Sequence, residues 1–106
     1  MTTTPPPDTT MSIPDLMHAI HAIHPGCSVE LALCNDGYAA VTVSGMPADL
    51  FPEPTSEEDS GGRYSYPNCY YASGGYLSVS RYADADFVAA LRTALELISE
   101  RVAVTR

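Results

Sequence analysis

The sequence predicts an α+β fold: an antiparallel sheet of three to four strands with an N-terminal and a C-terminal helix packed on one face, in αβββα-like order. Three observations predict it. Residues 84–102 carry apolar side chains at helical spacing, residues 28–44 alternate as two strands around a turn, and residue 12 opens a helix-capping pattern.

In chain order, residues 1–11 (MTTTPPPDTTM) combine Thr and Asp with three consecutive prolines, a composition that extends as polyproline II and cannot pack. They are expected to be a disordered tail, leaving 12–106 as a single domain. Ser12 and Asp15 form a capping box, with Pro14 preset for an early helical position. At about 100° per residue, Leu16, Ile20 and Ile23 share a face, while His18 and His21 fall on the far side and His24 near the edge. Pro25-Gly26 should stop this helix after about two turns.

Ser28 to Cys34 alternates with Val29, Leu31 and Leu33 inward, and Tyr38 to Ser44 alternates with Val41 and Val43 inward. Asn35-Asp36-Gly37 between them can take left-handed backbone conformations, so a β-hairpin is expected. Residues 45–62 contain Pro47, Pro52 and Pro54 without periodicity and are expected to form a long acidic surface loop pinned by Leu50 and Phe51. The Tyr-rich residues 63–71 could supply an edge strand limited by Pro67, Ser73-Gly74-Gly75 a turn, and Tyr76 to Tyr82 a strand with Leu77 and Val79 in phase.

The closing segment, DADFVAALRTALELISERV, places Phe87, Leu91, Leu95, Ile98 and Val102 on one stripe and Arg92, Glu96, Ser99, Glu100 and Arg101 on the other side. Asp84 is the expected N-cap, Asp86 adds negative charge to the first turn, and Arg101 lies near the C-terminal end where a cation is favoured. The outer face of the sheet would then carry Ala32, Ala40, Thr42, Tyr76, Ser78, Ser80 and Tyr82.

A chain of 106 residues with 45% hydrophobic content has room for one core. Thirteen Asp and Glu against five Arg and no Lys give a formal charge of -8, which phosphate backbones and anionic membranes repel. Direct nucleic-acid or membrane binding is therefore not expected, and the natural partner is basic or neutral. The N-terminus has neither a basic n-region nor an apolar h-region, and Cys27, Cys34 and Cys69 are an odd set without framework spacing, so a cytoplasmic protein with reduced thiols is expected.

Asp49, Glu53, Glu57, Glu58 and Asp59 place five carboxylates in eleven residues. Such a run can imitate a phosphate backbone and steer a basic protein toward it, although acidic loops are more commonly just solvated. It lacks the alternating ligand spacing of a calcium loop. His18, His21, His24 and Cys27 recur every three residues, but steps of three on a helix drift by about 60° each, so the imidazoles fan apart. No metal and no cofactor is expected. Tyr64, Tyr66, Tyr70, Tyr71, Tyr76 and Tyr82 fall within nineteen residues, a density suited either to an interface or to cross-strand pairing. Enzyme signatures are missing: there is no nucleophile elbow, no phosphate-cradling glycine loop ending in Lys, and no Lys for a Schiff base, while a Cys27–His24 pair would rest on local adjacency alone.

In element order the chain resembles double-stranded RNA-binding domains, which place basic residues at the start of their last helix, where Asp84 and Asp86 stand here. With its VELALCNDGYAAVTVSG hairpin, its SEED loop and its ALRTALELISERV helix, it also looks like small acidic accessory proteins of phages and prophages of the anti-CRISPR type. That resemblance implies a non-enzymatic inhibitor that occupies a basic site on a nucleic-acid-handling host complex. The expected contact residues are Glu30, Asp36, Asp49, Glu53, Glu57, Glu58, Asp59, Tyr64, Tyr66, Tyr70 and Tyr71. The alternative is a homo-oligomeric structural or assembly protein joined through the outer sheet face and its tyrosines.

Overall fold

The computed structural model describes residues 12–34, 37–56, 68–82 and 84–105. The expected tail at 1–11, Asp36, and the stretch holding Glu57, Glu58, Asp59, Tyr64 and Tyr66 lie outside them. The elements run α1 (Ile13–Ile23), β1 (Ser28–Leu33), β2 (Ala39–Ser44), β3 (Phe51–Ser56), β4 (Asn68–Gly74), β5 (Tyr76–Arg81) and α2 (Phe87–Thr105). The α+β arrangement is as expected, but the sheet has five strands, not three or four. All pairings are antiparallel, in the order β1-β2-β5-β4-β3.

The added strand is β3, cut from the segment expected to be all loop. Pro52 and Pro54 hide it in the sequence because they cannot donate to a ladder, yet an edge strand tolerates them. Its register with β4 shifts between Phe51 and Thr55, so Pro52, Glu53 and Pro54 arch away from the sheet and are exposed. Leu50 and Phe51 do pin the segment, being almost fully buried.

α1 begins as its sequence requires. The Ser12 hydroxyl accepts from the Asp15 amide at 3.3 Å, and the Asp15 carboxylate accepts from the Ser12 amide at 3.1 Å. The helix runs 11 residues, about three turns instead of two, before His24 caps it. α2 starts later than expected. Its N-cap is Asp86, whose carboxylate accepts from the Ala89 amide at 3.0 Å. Asp84 instead accepts from the Asp86 amide at 3.1 Å and pairs with the Arg81 guanidinium at 2.8 Å, tying β5 to the helix entrance.

The core lies between one sheet face and the two helices. α2 crosses β2 and β5 and packs against α1. Val41, Val43, Leu77 and Val79 from the sheet meet Ala90, Leu91, Ala94 and Ile98 from α2, with Leu16 and Ile20 from α1, and all ten are fully buried. The buried face of α2 is broader than the expected stripe: Ala90, Ala94 and Leu97 join it, while Phe87, Leu95 and Val102 are only partly covered. Small alanines allow the helix axis to approach the strands closely. Arg101 does not turn to solvent. Its Nε donates to the Leu50 carbonyl at 2.6 Å and its guanidinium stacks 5.8 Å from the Phe51 ring centroid, clasping the entrance of β3 to the end of α2.

β1 departs from expectation in burial. Val29, Leu31 and Leu33 pair with Val43, Val41 and Ala39 and so share the helix-bearing face. Leu31 nevertheless remains 37% exposed and Leu33 65%, because β1 is a margin strand beyond the helices.

The β4–β5 hairpin turns through Gly74 and Gly75. Only Gly74 has positive φ, 61°, as a turn of type II′ demands at its first central residue. Gly75 is required by space. A Cβ there would fall on the Met46 backbone carbonyl, whose chain is tied back by the Met46 amide donating to the Gly75 carbonyl at 3.2 Å. Gly75→Ala is expected to destabilise the fold by about 1–3 kcal/mol through this backbone clash, measured by urea unfolding.

Among the described residues two carboxylates couple the fold to acid. The amide and then the hydroxyl of Ser12 hold the Asp15 pKa below the ordinary carboxylate value, and Arg81 followed by the Asp86 amide does the same for Asp84. A depressed folded-state pKa gives stability that is present above the unfolded value and is lost as pH falls through the folded value. The stability gap between the native chain and Asp84→Asn should therefore be constant above about pH 5 and close in strong acid, below both pKa values, in urea titrations repeated across pH.

Candidate functional site

No described element covers the second face of the sheet. Strand alternation puts Glu30, Thr42, Ser78, Tyr71 and Ser56 in one row across all five strands, as the successive pairings Glu30↔Thr42, Thr42↔Ser78, Tyr71↔Ser78 and Ser56↔Tyr71 record. The next row is Ala32, Ala40, Ser80 and Cys69. Apart from Glu30 and Tyr71 these side chains are short, so the face is shallow where it is not bordered by tyrosine.

The aromatic border is Tyr71, Tyr76 and Tyr82, exposed by 49%, 41% and 45%. Tyr82 packs on Tyr38, ring centroids 4.6 Å apart and tilted 58°, so its ring is held in place. Between Tyr71 and Tyr82 lies a depression of about 400 Å3 lined by Ser56, Cys69, Tyr70, Tyr71, Ser78, Ser80 and Tyr82. Its lining is hydroxyls, one thiol and aromatic edges. Such groups donate and accept hydrogen bonds and give flat contact area.

The residues expected to make contacts divide. Glu30 sits on this outer face and is exposed. Asp49, in the connection before β3, and Glu53, on the β3 arch, are also exposed, at the opposite margin. Tyr71 belongs to the face. Tyr70, its strand neighbour, packs in the core cluster at 8% exposure and borders the depression, so it offers little area to a partner. Sequence reasoning missed Ser56 and Cys69. For Cys69 the signal was the alternation of Cys69, Tyr71 and Ser73, legible only once the strand is known to start after Pro67.

Cys27 Sγ lies 3.9 Å from Nδ1 of His21, and the Cys27 amide donates to the His24 carbonyl at 3.0 Å. Among the described residues no three His, Cys, Asp or Glu side chains gather at a point. His24 lies with Ala22 and Ile23 opposite Ser99, Val102 and Ala103, where the C-terminal ends of α1 and α2 border a mainly apolar cleft of about 480 Å3. Its Nε2 is buried and makes no hydrogen bond. No described helix is long and apolar enough to cross a membrane.

Comparison with known proteins finds no family model, no curated protein and no solved structure that matches this chain.

The three thiols should be chemically distinct. Burial pushes the Cys27 thiol above its ordinary pKa, whereas Cys34 and Cys69 are only partly covered. Since the thiolate is the reactive form, maleimide at neutral pH should label Cys34 and Cys69 well before Cys27, read by mass spectrometry of the intact chain and its peptides.

Proposed function

We propose that this chain is a non-enzymatic binding protein that docks an acidic, tyrosine-bordered surface onto a basic protein that handles nucleic acid, and inhibits it by occupying that site. The observation that carries the reading is the open face itself: a five-stranded sheet with one side free of described helices, small hydroxylated side chains at its centre and three half-exposed tyrosines at its border. Tyrosine supplies large contact area at low entropic cost, and short neighbours let a partner approach the sheet closely. Glu30 on this face, Asp49 and Glu53 beside it, and the net charge of -8 favour a cationic partner. The acids at Glu57, Glu58 and Asp59 extend the same charge along the chain. A host complex of the kind blocked by anti-CRISPR proteins is the proposed target class, and the cytoplasm the proposed compartment.

The reading is tested by affinity capture from a host-type lysate, beside a variant with Asp49, Glu53, Glu57, Glu58 and Asp59 as amides and a second with Tyr71 and Tyr82 as Ala. Capture of a basic nucleic-acid-binding protein by the native chain, about tenfold or more weakened between 50 and 200 mM salt and slower to form with the amide variant, is the expected outcome. Equal capture by all three forms would reject this surface.

A further inference from the structure

The two margins of the sheet are built differently, and the difference points to a second copy of the chain. At one margin β3 is blunted: its register shifts, and Pro52, Glu53 and Pro54 arch outward. These are devices that keep a sheet edge from pairing. At the other margin β1 is a regular six-residue strand, SVELAL, with no proline, no bulge and no lysine. Only Val29 is partly covered; its other five residues are exposed.

The direction of the unpaired groups follows from one hydrogen bond. The Cys34 amide donates to the Tyr38 carbonyl at 3.0 Å, continuing the β1–β2 register. In an antiparallel ladder the residues bonded to the neighbour alternate with those that point away. Ser28, Glu30 and Ala32 therefore bond to β2, and Val29, Leu31 and Leu33 direct their N–H and C=O groups outward. Among the described residues no strand receives them.

We propose that β1 pairs with β1 of a second copy, antiparallel across a two-fold axis through Leu31, joining the two sheets into one. The register is set by charge and length. Centred on Leu31, Leu31 faces its own copy, Val29 faces Leu33, and Glu30 faces Ala32. A centre on Glu30 would set two carboxylates directly opposite one another, which is unfavourable. A centre on Ala32 would carry Val29 past the end of the facing strand. In the Leu31 register the outward N–H and C=O groups of Val29, Leu31 and Leu33 are all satisfied. A two-fold axis perpendicular to the sheet also keeps the helices of both copies on one side. Leu31 and Leu33, 37% and 65% exposed in the single chain, then fill the seam between the two helix layers. Because the β3 margin is blunted, the assembly closes at two copies and does not grow.

Sedimentation equilibrium of the full chain over a range of concentration and salt tests this. The expected result is a dimer whose association strengthens as salt rises, because each copy carries -8 and the seam is apolar. The partner docking proposed above weakens with salt, so the two readings fail separately. Leu31→Lys with Leu33→Lys should halve the mass, with an unchanged unfolding temperature at monomeric concentrations. Ala32→Lys, which places a cation opposite Glu30 of the other copy, should tighten the dimer several-fold. In the native protein, dilution should speed hydrogen exchange at the Leu31 and Leu33 amides while leaving those of Glu30 and Ala32 protected. A chain that is monomeric at every concentration, or a dimer indifferent to the leucine substitutions, would overturn the proposal. A dimer weakened by Ala32→Lys would overturn its register.

Discussion

An α-helix with its side chains is about 10 Å wide and neighbouring strands lie about 4.8 Å apart, so one helix shields roughly two strands and a pair of helices roughly four. This mismatch in width governs the structure. α2 takes the centre, over β2 and β5, where Ala90 and Ala94 let it settle onto Val41, Val43, Leu77 and Val79. With α1 beside it the helix layer is used up. A fifth strand must lie at or beyond the margin of that layer, and the exposures of Leu31 and Leu33 show that it is β1. The other side of the sheet receives no described helix at all, so its side chains are short, hydroxylated or amphipathic, the types that tolerate water on one side and contact on the other.

The same constraint explains what was legible in the sequence. The helices were readable because caps and periodicity are local: Ser12 with Asp15, and the Leu91–Ile98 stripe, need no knowledge of their neighbours. The N-cap falls to Asp86 and not Asp84 because both satisfy the same first-turn rule, and only the placement of Arg81 decides which carboxylate is drawn aside. The β1–β2 hairpin was readable in pairing but not in burial, since alternation reports which side a residue faces and not whether anything covers it. β3 was illegible because its two prolines erase the local signal, and what makes it a strand is distant: the partner β4 and the clasp from Arg101 to Leu50 and Phe51. Arg101 was assigned to a solvated helix face for the same reason.

For the candidate site, the outer-face residues of β2 and β5 followed directly from alternation. Their extension onto β3 and β4 required the register, and with it came Ser56 and Cys69 and the loss of Tyr70 to the core. The acidic residues are distributed more widely than their clustering in the chain suggests: Glu30 lies on β1 while Asp49 and Glu53 lie at the β3 margin. The face between them carries short hydroxylated side chains at its centre and tyrosines toward its border.

The clasp also bears on how the chain reaches this state. Leu50 waits for a guanidinium 51 residues further on, and the central β2–β5 pair joins Val41 to Val79. Contacts of such separation make loop closure the costly step and slow the search for the native pairing. The β1–β2 hairpin can form from local contacts, but its apolar face finds its cover in α2, at the other end of the chain. During synthesis, then, the hairpin emerges with its valines bare, and Val41 and Val43 gain their helical cover only once the last helix has been made.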